Sequence, residues 1–132
     1  MKHYTELVPF ELAVKLRDCD YEQSIIHDTY NVNTKRIEGW LPNENSINAP
    51  TYAEVLDWLA DKEIYPQLDV APCDSAREGR YTGIRALVVD ARKMYNADVY
   101  YKVEPYEYAP DYRDICTALN DAIDKALEIL AK

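Results

Sequence analysis

The sequence predicts an α+β fold: a small, mainly antiparallel sheet of three to four strands with about three helices packed on one face. Three observations predict it. The C-terminal stretch repeats apolar residues at intervals of three and four, the mark of an amphipathic helix. A helix-start signature stands at Thr51–Glu54. Between these two helices lie segments that alternate at period two, the mark of half-buried strands. The chain has 132 residues, which fits one domain over 1–132 burying roughly two-thirds of its unfolded surface. It is 48% hydrophobic and 30% charged, a balance that folds rather than remaining disordered.

The elements follow in chain order. A first helix is expected from about Val8 to Cys19, with Pro9 in the first turn, where its missing N–H costs nothing. Leu12, Ala13, Val14 and Leu16 supply its apolar side, although not as a clean stripe. Residues 24–32 combine β-branched and aromatic residues and suit a short strand. Asn31, Asn33, Gly39, Pro42, Asn43, Asn45, Asn48 and Pro50 then crowd turn formers together, which predicts a long loop over 31–50. Trp40-Leu41 would pin that loop to the core.

Thr51 and Glu54 have the spacing of a capping box, in which each side chain satisfies the other's backbone N–H. The helix they start runs to about Lys62, with Val55, Leu56, Trp58 and Leu59 as apolar positions and Trp58 as an anchor between helix and sheet. Ile64, Pro66, Leu68 and Val70 alternate and predict a strand. Pro66 cannot donate to a ladder, so this strand lies at a sheet edge or has the proline near its start. Pro72, Gly79 and Gly83 predict a loop or hairpin tip over 72–83. Residues 84–95 satisfy both a helical and a strand pattern; the paired Val88-Val89 and flanking Gly favour strand. A further strand is expected over 98–104, with Val99, Tyr101 and Val103 on one face and Asn96-Ala97 as the turn before it. Asp111 is a natural N-cap for the last helix, whose stripe is Tyr112, Ile115, Cys116, Leu119, Ala122, Ile123, Ala126, Leu127 and Leu130.

Charge excludes several functions. Lys and Arg number 15 against 24 Asp and Glu, a net charge of −9. Nucleic-acid binding draws on clustered basic residues that displace counterions, and anionic membranes attract the same residues. Neither a nucleic-acid nor a membrane partner is expected. No apolar run reaches the ~18–20 residues of a membrane span, and the opening Met-Lys-His-Tyr-Thr-Glu lacks the apolar core of a signal peptide, so a cytosolic setting is expected. Cys19, Cys73 and Cys116 are widely spaced and odd in number, which predicts reduced thiols. His3 and His27 form no zinc spacing, no glycine-rich phosphate loop exists among three Gly, and no nucleophile elbow is present. No cofactor, metal or catalytic residue is therefore assigned.

Ala49-Pro50-Thr51-Tyr52-Ala53-Glu54-Val55-Leu56-Asp57-Trp58-Leu59 and, later, Ala118-Leu119-Asn120-Asp121-Ala122-Ile123-Asp124-Lys125-Ala126-Leu127 together resemble small acidic proteins encoded by prophages and mobile elements of gut bacteria. The likeness covers about a quarter of the chain. Its motifs are helix-start and helix-packing features, so it implies a genomic setting and carries over no site residue.

The strongest functional signal is tyrosine. The chain holds 12 Tyr against two Trp and one Phe, and six of them, Tyr95, Tyr100, Tyr101, Tyr106, Tyr108 and Tyr112, fall within 18 residues. Tyrosine offers large contact area at low entropy cost, which suits an interface. The competing reading is that Tyr replaces Phe in the core, with hydroxyls reaching water at the rim. Tyr95, Tyr100, Tyr101, Tyr106 and Tyr108 form the candidate interaction surface, and a second copy of the chain is the first partner to expect. Residues 73–94 carry five basic residues, Arg77, Arg80, Arg85, Arg92 and Lys93, against three acids; they form either an anion-binding patch or a solvated face paired to neighbouring acids. Three functions compete: a non-catalytic interaction module of mobile-element origin, an acidic inhibitor mimicking nucleic acid, and a small enzyme or binder with a site near Cys73, His27 and the arginines.

Overall fold

The computed structural model describes residues 2–22, 28–39, 45–75, 79–93, 100–102 and 115–131, with the backbone alone at several strand positions. The chain is α+β, and the described residues form three α-helices and six antiparallel strands in two three-stranded sheets. Its backbone divides into two compact units, Met1–Trp58 and Leu59–Leu130, apart from the last two residues.

In the first unit, a 3-10 turn at Lys2–Thr5 precedes helix α1 (Phe10–Asp18). Pro9 sits one position earlier than expected, as the extended N-cap residue, and its carbonyl accepts from the N–H groups of Leu12 and Ala13. A capping residue has non-helical backbone, and the fixed φ of proline permits that as readily as a first helical turn. Leu12, Ala13 and Leu16 are buried, whereas Val14 is half-buried.

The expected loop over 31–50 is not a loop throughout. Strand β1 (Thr29–Asn31) is central, flanked by β2 (Ile37–Glu38) and β3 (Ser46–Asn48). The turn formers mark the ends of very short strands. Asn31 builds the first turn: its side-chain oxygen accepts from the N–H groups of Asn33 (2.8 Å) and Thr34 (3.0 Å), an Asx turn. Lys35 then adopts φ 61° and donates its N–H to the Asn31 carbonyl. Strands of two or three residues are too short to show alternation, so the sequence pattern passes over them. Trp40-Leu41 lies outside the described residues.

Thr51 and Glu54 form the expected capping box. The Thr51 N–H donates to Glu54 Oε1 at 3.2 Å, and the Glu54 N–H donates to Thr51 Oγ1 at 3.2 Å. Helix α2 (Tyr52–Asp61) follows. Its start is tied to the N-terminal segment, because Val8 N–H donates to Pro50 O and Tyr52 N–H to Glu6 O. Tyr52, Val55 and Leu59 are its buried positions. Leu56 and Trp58 are only half-buried. The Trp58 ring meets Tyr21 edge-on at 5.2 Å, just beyond the end of α1.

In the second unit, β4 (Ile64–Ser75) and β5 (Gly79–Asp90) pair in unbroken register from Ile64↔Asp90 to Ser75↔Gly79. Of the two expectations for 72–83, loop or hairpin tip, the ladder fits the hairpin, with strand running further toward the tip than expected; 76–78 lie outside the described residues. Turn formers do not stop a ladder when they fall at tolerant positions. Pro66 and Pro72 both sit in β4, which is an edge strand. They are six residues apart, so their ring nitrogens face the same way, toward the open edge where no ladder N–H is needed. The strand alternative for 84–95 holds to Asp90, after which Ala91–Lys93 form a 3-10 turn. Strand β6 (Tyr100–Lys102) pairs with β5 on its other side.

The inward row of β5 is Ile84, Ala86, Val88 and Asp90, all buried. Ile84 and Ala86 pack with Ala118 and Ala122 of helix α3 (Ile115–Ala131), joined by Leu68 and Ile115. Small residues on both sides let helix and sheet approach closely. The helix buries Leu119, Ile123, Ala126 and Leu127 as expected. Near its end, Ile129 is buried and Leu130 only half-buried, the reverse of the expected order. Cys116 is half-buried and is not in a disulfide. The expected N-cap Asp111 and the turn at Asn96-Ala97 lie outside the described residues.

Candidate functional site

The sheet of the second unit has a covered face and an outer face, and alternation decides which residues go where. Pro66, Val88 and Tyr101 share one cross-strand row, and Val88 is fully buried. The adjacent row, of opposite parity, is Tyr65, Val89 and Tyr100. Tyr65 is 40% exposed, among the most exposed large apolar residues described. Gln67 and Asp69 continue that outer row parity along β4 and are exposed. The outer face thus carries a tyrosine at one edge strand and, by register, a tyrosine position at the other, with half-buried Val89 between them.

Two of the five tyrosines proposed from sequence, Tyr100 and Tyr101, are placed on adjacent residues of β6 and therefore in opposite rows. Tyr95, Tyr106 and Tyr108 lie outside the described residues, as does Tyr112. Sequence reasoning missed Tyr65. Its signal was available: in the alternating segment 64–70, Tyr65 has the parity opposite to Ile64 and Leu68, so an aromatic had to face outward there.

Three other tyrosines follow the Phe-replacement reading. Tyr21, Tyr30 and Tyr52 are buried in the first unit. Tyr30 meets Phe10 edge-on at 5.6 Å, and its hydroxyl donates to the Val8 carbonyl. Burial, with Glu11 nearby, raises its pKa. Burial raises that of Tyr21 strongly, with Glu54 adding to the effect. Both remain neutral hydroxyls over the ordinary pH range.

The basic stretch divides. Arg92 is committed: its Nε donates to Asp90 Oδ1 at 2.9 Å and its Nη2 to Asp90 Oδ2 at 3.1 Å, a bidentate pair. The same guanidinium reaches the Ile129 carbonyl at 3.4 Å, and the Arg92 N–H also donates to Asp90 Oδ1. Asp90 is fully buried, and this fork compensates its charge. Arg80 stands opposite Asp74 and Arg85 opposite Asp69 in the ladder, positions at which opposite charges support pairing. Arg77 lies outside the described residues. The side chain of Cys73 and the whole of His27 lie outside the described residues, and among those described no three metal-ligating side chains cluster. Cys19 is half-buried, and burial with Asp18 and Asp20 nearby raises its thiol pKa.

A cleft of about 150 Å³ opens in the first unit, lined by Ala13, Arg17, Tyr21, Ser46, Ile47 and Asn48. Sequence offered no signal for it, because its walls come from α1 and β3, about thirty residues apart in the chain.

Comparisons with protein-family models, curated proteins and solved structures returned no match. Among the described residues no helix is long and apolar enough to cross a membrane.

Proposed function

We propose that the protein is a non-catalytic interaction module of mobile-element origin, acting in the cytosol, that pairs with a second copy of itself through the outer face of its β4–β5–β6 sheet. The observation that carries this reading is the cross-strand row Tyr65–Val89–Tyr100, with Tyr65 held 40% exposed on a strand whose alternate residues face the core. An aromatic presented from a sheet needs no further ordering to make contact, which favours association. The prolines of β4 support a face rather than an edge as the contact, because they remove donors from that edge. Cys19 and Cys116 are not in disulfides, which suits a reducing compartment, and the mobile-element origin rests on the resemblance of residues 49–59 and 118–127.

Sedimentation velocity across a concentration series tests it. The expected result is a concentration-dependent dimer that Tyr65→Ser combined with Tyr100→Ser weakens by about tenfold or more, as for paired aromatic anchors. A chain that sediments as a monomer at every concentration, or a dimer that the double variant leaves intact, would overturn it.

A further inference from the structure

We propose that the cleft between α1 and β3 binds a small monocarboxylic acid, with Arg17 pairing to the carboxylate and the apolar body resting on Ala13 and Ile47. The cleft's volume is about 150 Å³, a space that accommodates a benzene ring. Ala13 and Ile47 are both buried, so the interior surface they present is apolar. The polar groups are Arg17, Tyr21, Ser46 and Asn48.

The arginine is not saturated. Its Nε and Nη2 both donate to Asp18 Oδ1, at 3.3 and 3.2 Å, along the side-on edge of the guanidinium. The end-on edge, with the remaining Nη1 and Nη2 hydrogens, has no partner among the described residues. That edge has the geometry to hold a carboxylate by two parallel bonds. The Asn48 amide, also without a side-chain partner among the described residues, supplies another donor on the β3 side. The Tyr21 hydroxyl is a neutral phenol at ordinary pH, so the cleft wall it forms adds no charge.

Charge selects the ligand class. A cation is disfavoured by Arg17. A phosphate dianion calls for several cations, whereas this cleft has one guanidinium shared with Asp18 on a chain of net charge −9. A monoanion with an apolar body matches both the charge and the volume. This site stands apart from the sheet face and does not depend on its pairing.

Titration of the full-length chain with benzoate, followed by amide chemical shifts, tests the site, with benzamide and benzylammonium as the neutral and cationic counterparts. Benzoate is expected to give saturable shifts at Arg17, Ile47 and Asn48, with benzamide and benzylammonium at least about tenfold weaker. Arg17→Gln should weaken benzoate binding about tenfold, and Asp18→Asn, which removes the competing carboxylate, should strengthen it about threefold. Arg17 is half-exposed, and an unchanged spectrum elsewhere verifies the fold of each variant. Absence of saturation, equal binding of benzamide, or an Arg17→Gln variant that binds as well as the original would overturn the proposal.

Discussion

Asp90 shows how much one side chain can depend on another. Alternation along β5 sends it inward after Ile84, Ala86 and Val88, and a buried carboxylate is tolerated only when paired and hydrogen-bonded. Arg92 meets that need from the following turn while keeping part of its own side chain in water. The two partners therefore respond unequally to substitution. Arg92→Met takes the guanidinium away from a buried carboxylate and should cost about 3 kcal/mol. Asp90→Asn leaves a neutral amide and an arginine that can turn to solvent, so it should cost about 1–2 kcal/mol. Urea denaturation of both variants checks the order; a costlier Asp90→Asn would show that the pair is not the source of stability. The buried tyrosines make a second residue-scale prediction. Tyr21 and Tyr30 have raised pKa values in the folded chain, so the folded state holds its protons more tightly than the unfolded state. Their contribution is fully present below the usual tyrosine value near 10 and is lost as pH rises above it. Stability should be flat through neutral pH and fall steeply above about pH 10, and Tyr30→Phe should reduce that slope. Absorbance titration at alkaline pH, read against denaturation by circular dichroism, checks it; ionisation of all tyrosines before any loss of structure would contradict it.

At the scale of elements, β4 shows why proline and glycine are incomplete guides to where strands end. Pro66 and Pro72 share one parity in an edge strand, so neither costs the sheet a ladder bond. Both remove donors from the open edge, which limits pairing with other chains. Replacing both with valine should keep or raise the thermal stability of the monomer while making the chain aggregate faster, because an edge with a full row of donors templates further strands. Light scattering during incubation at constant temperature checks this, and unchanged aggregation would show that the prolines are not protective. Helix α2 shows the opposite case, a signal that local chemistry decides. Thr51 and Glu54 satisfy each other across one turn, and nothing distant is needed to make that work. The short strands β1, β2 and β3 lie between these cases. Asn31 sets their first turn locally, but the strands exist only because three segments meet.

For the whole molecule, the balance of charge makes the simplest prediction. A net charge of −9 repels itself in the compact state, and the repulsion is screened as the Debye length falls from about 30 Å at 0.01 M to about 3 Å at 1 M salt. The melting temperature should therefore rise by a few degrees between low and moderate sodium chloride. A fall would mean that ion pairs such as Lys125–Glu128 and Asp90–Arg92 outweigh the net charge. The α+β class, the C-terminal helix, the capping box and the edge position of the Pro66 strand were legible in the sequence, because each rests on periodicity or on chemistry within a few residues. The three-stranded sheet over 29–48, the continuation of β4 and β5 through 72–83 and the burial of Asp90 were not, because a residue's partner there is set by which strand lies beside it. The same division holds for the candidate sites. Tyrosine enrichment pointed to residues 95–112, whereas only register joined Tyr65 to Tyr100 across the sheet, and only the approach of α1 to β3 made a cleft at Arg17. The sequence alone determined which segments are amphipathic and how they start, since those properties depend on neighbours along the chain. Tertiary structure alone decided which strands pair, which tyrosines are covered and where a cleft opens, since those properties depend on neighbours in space.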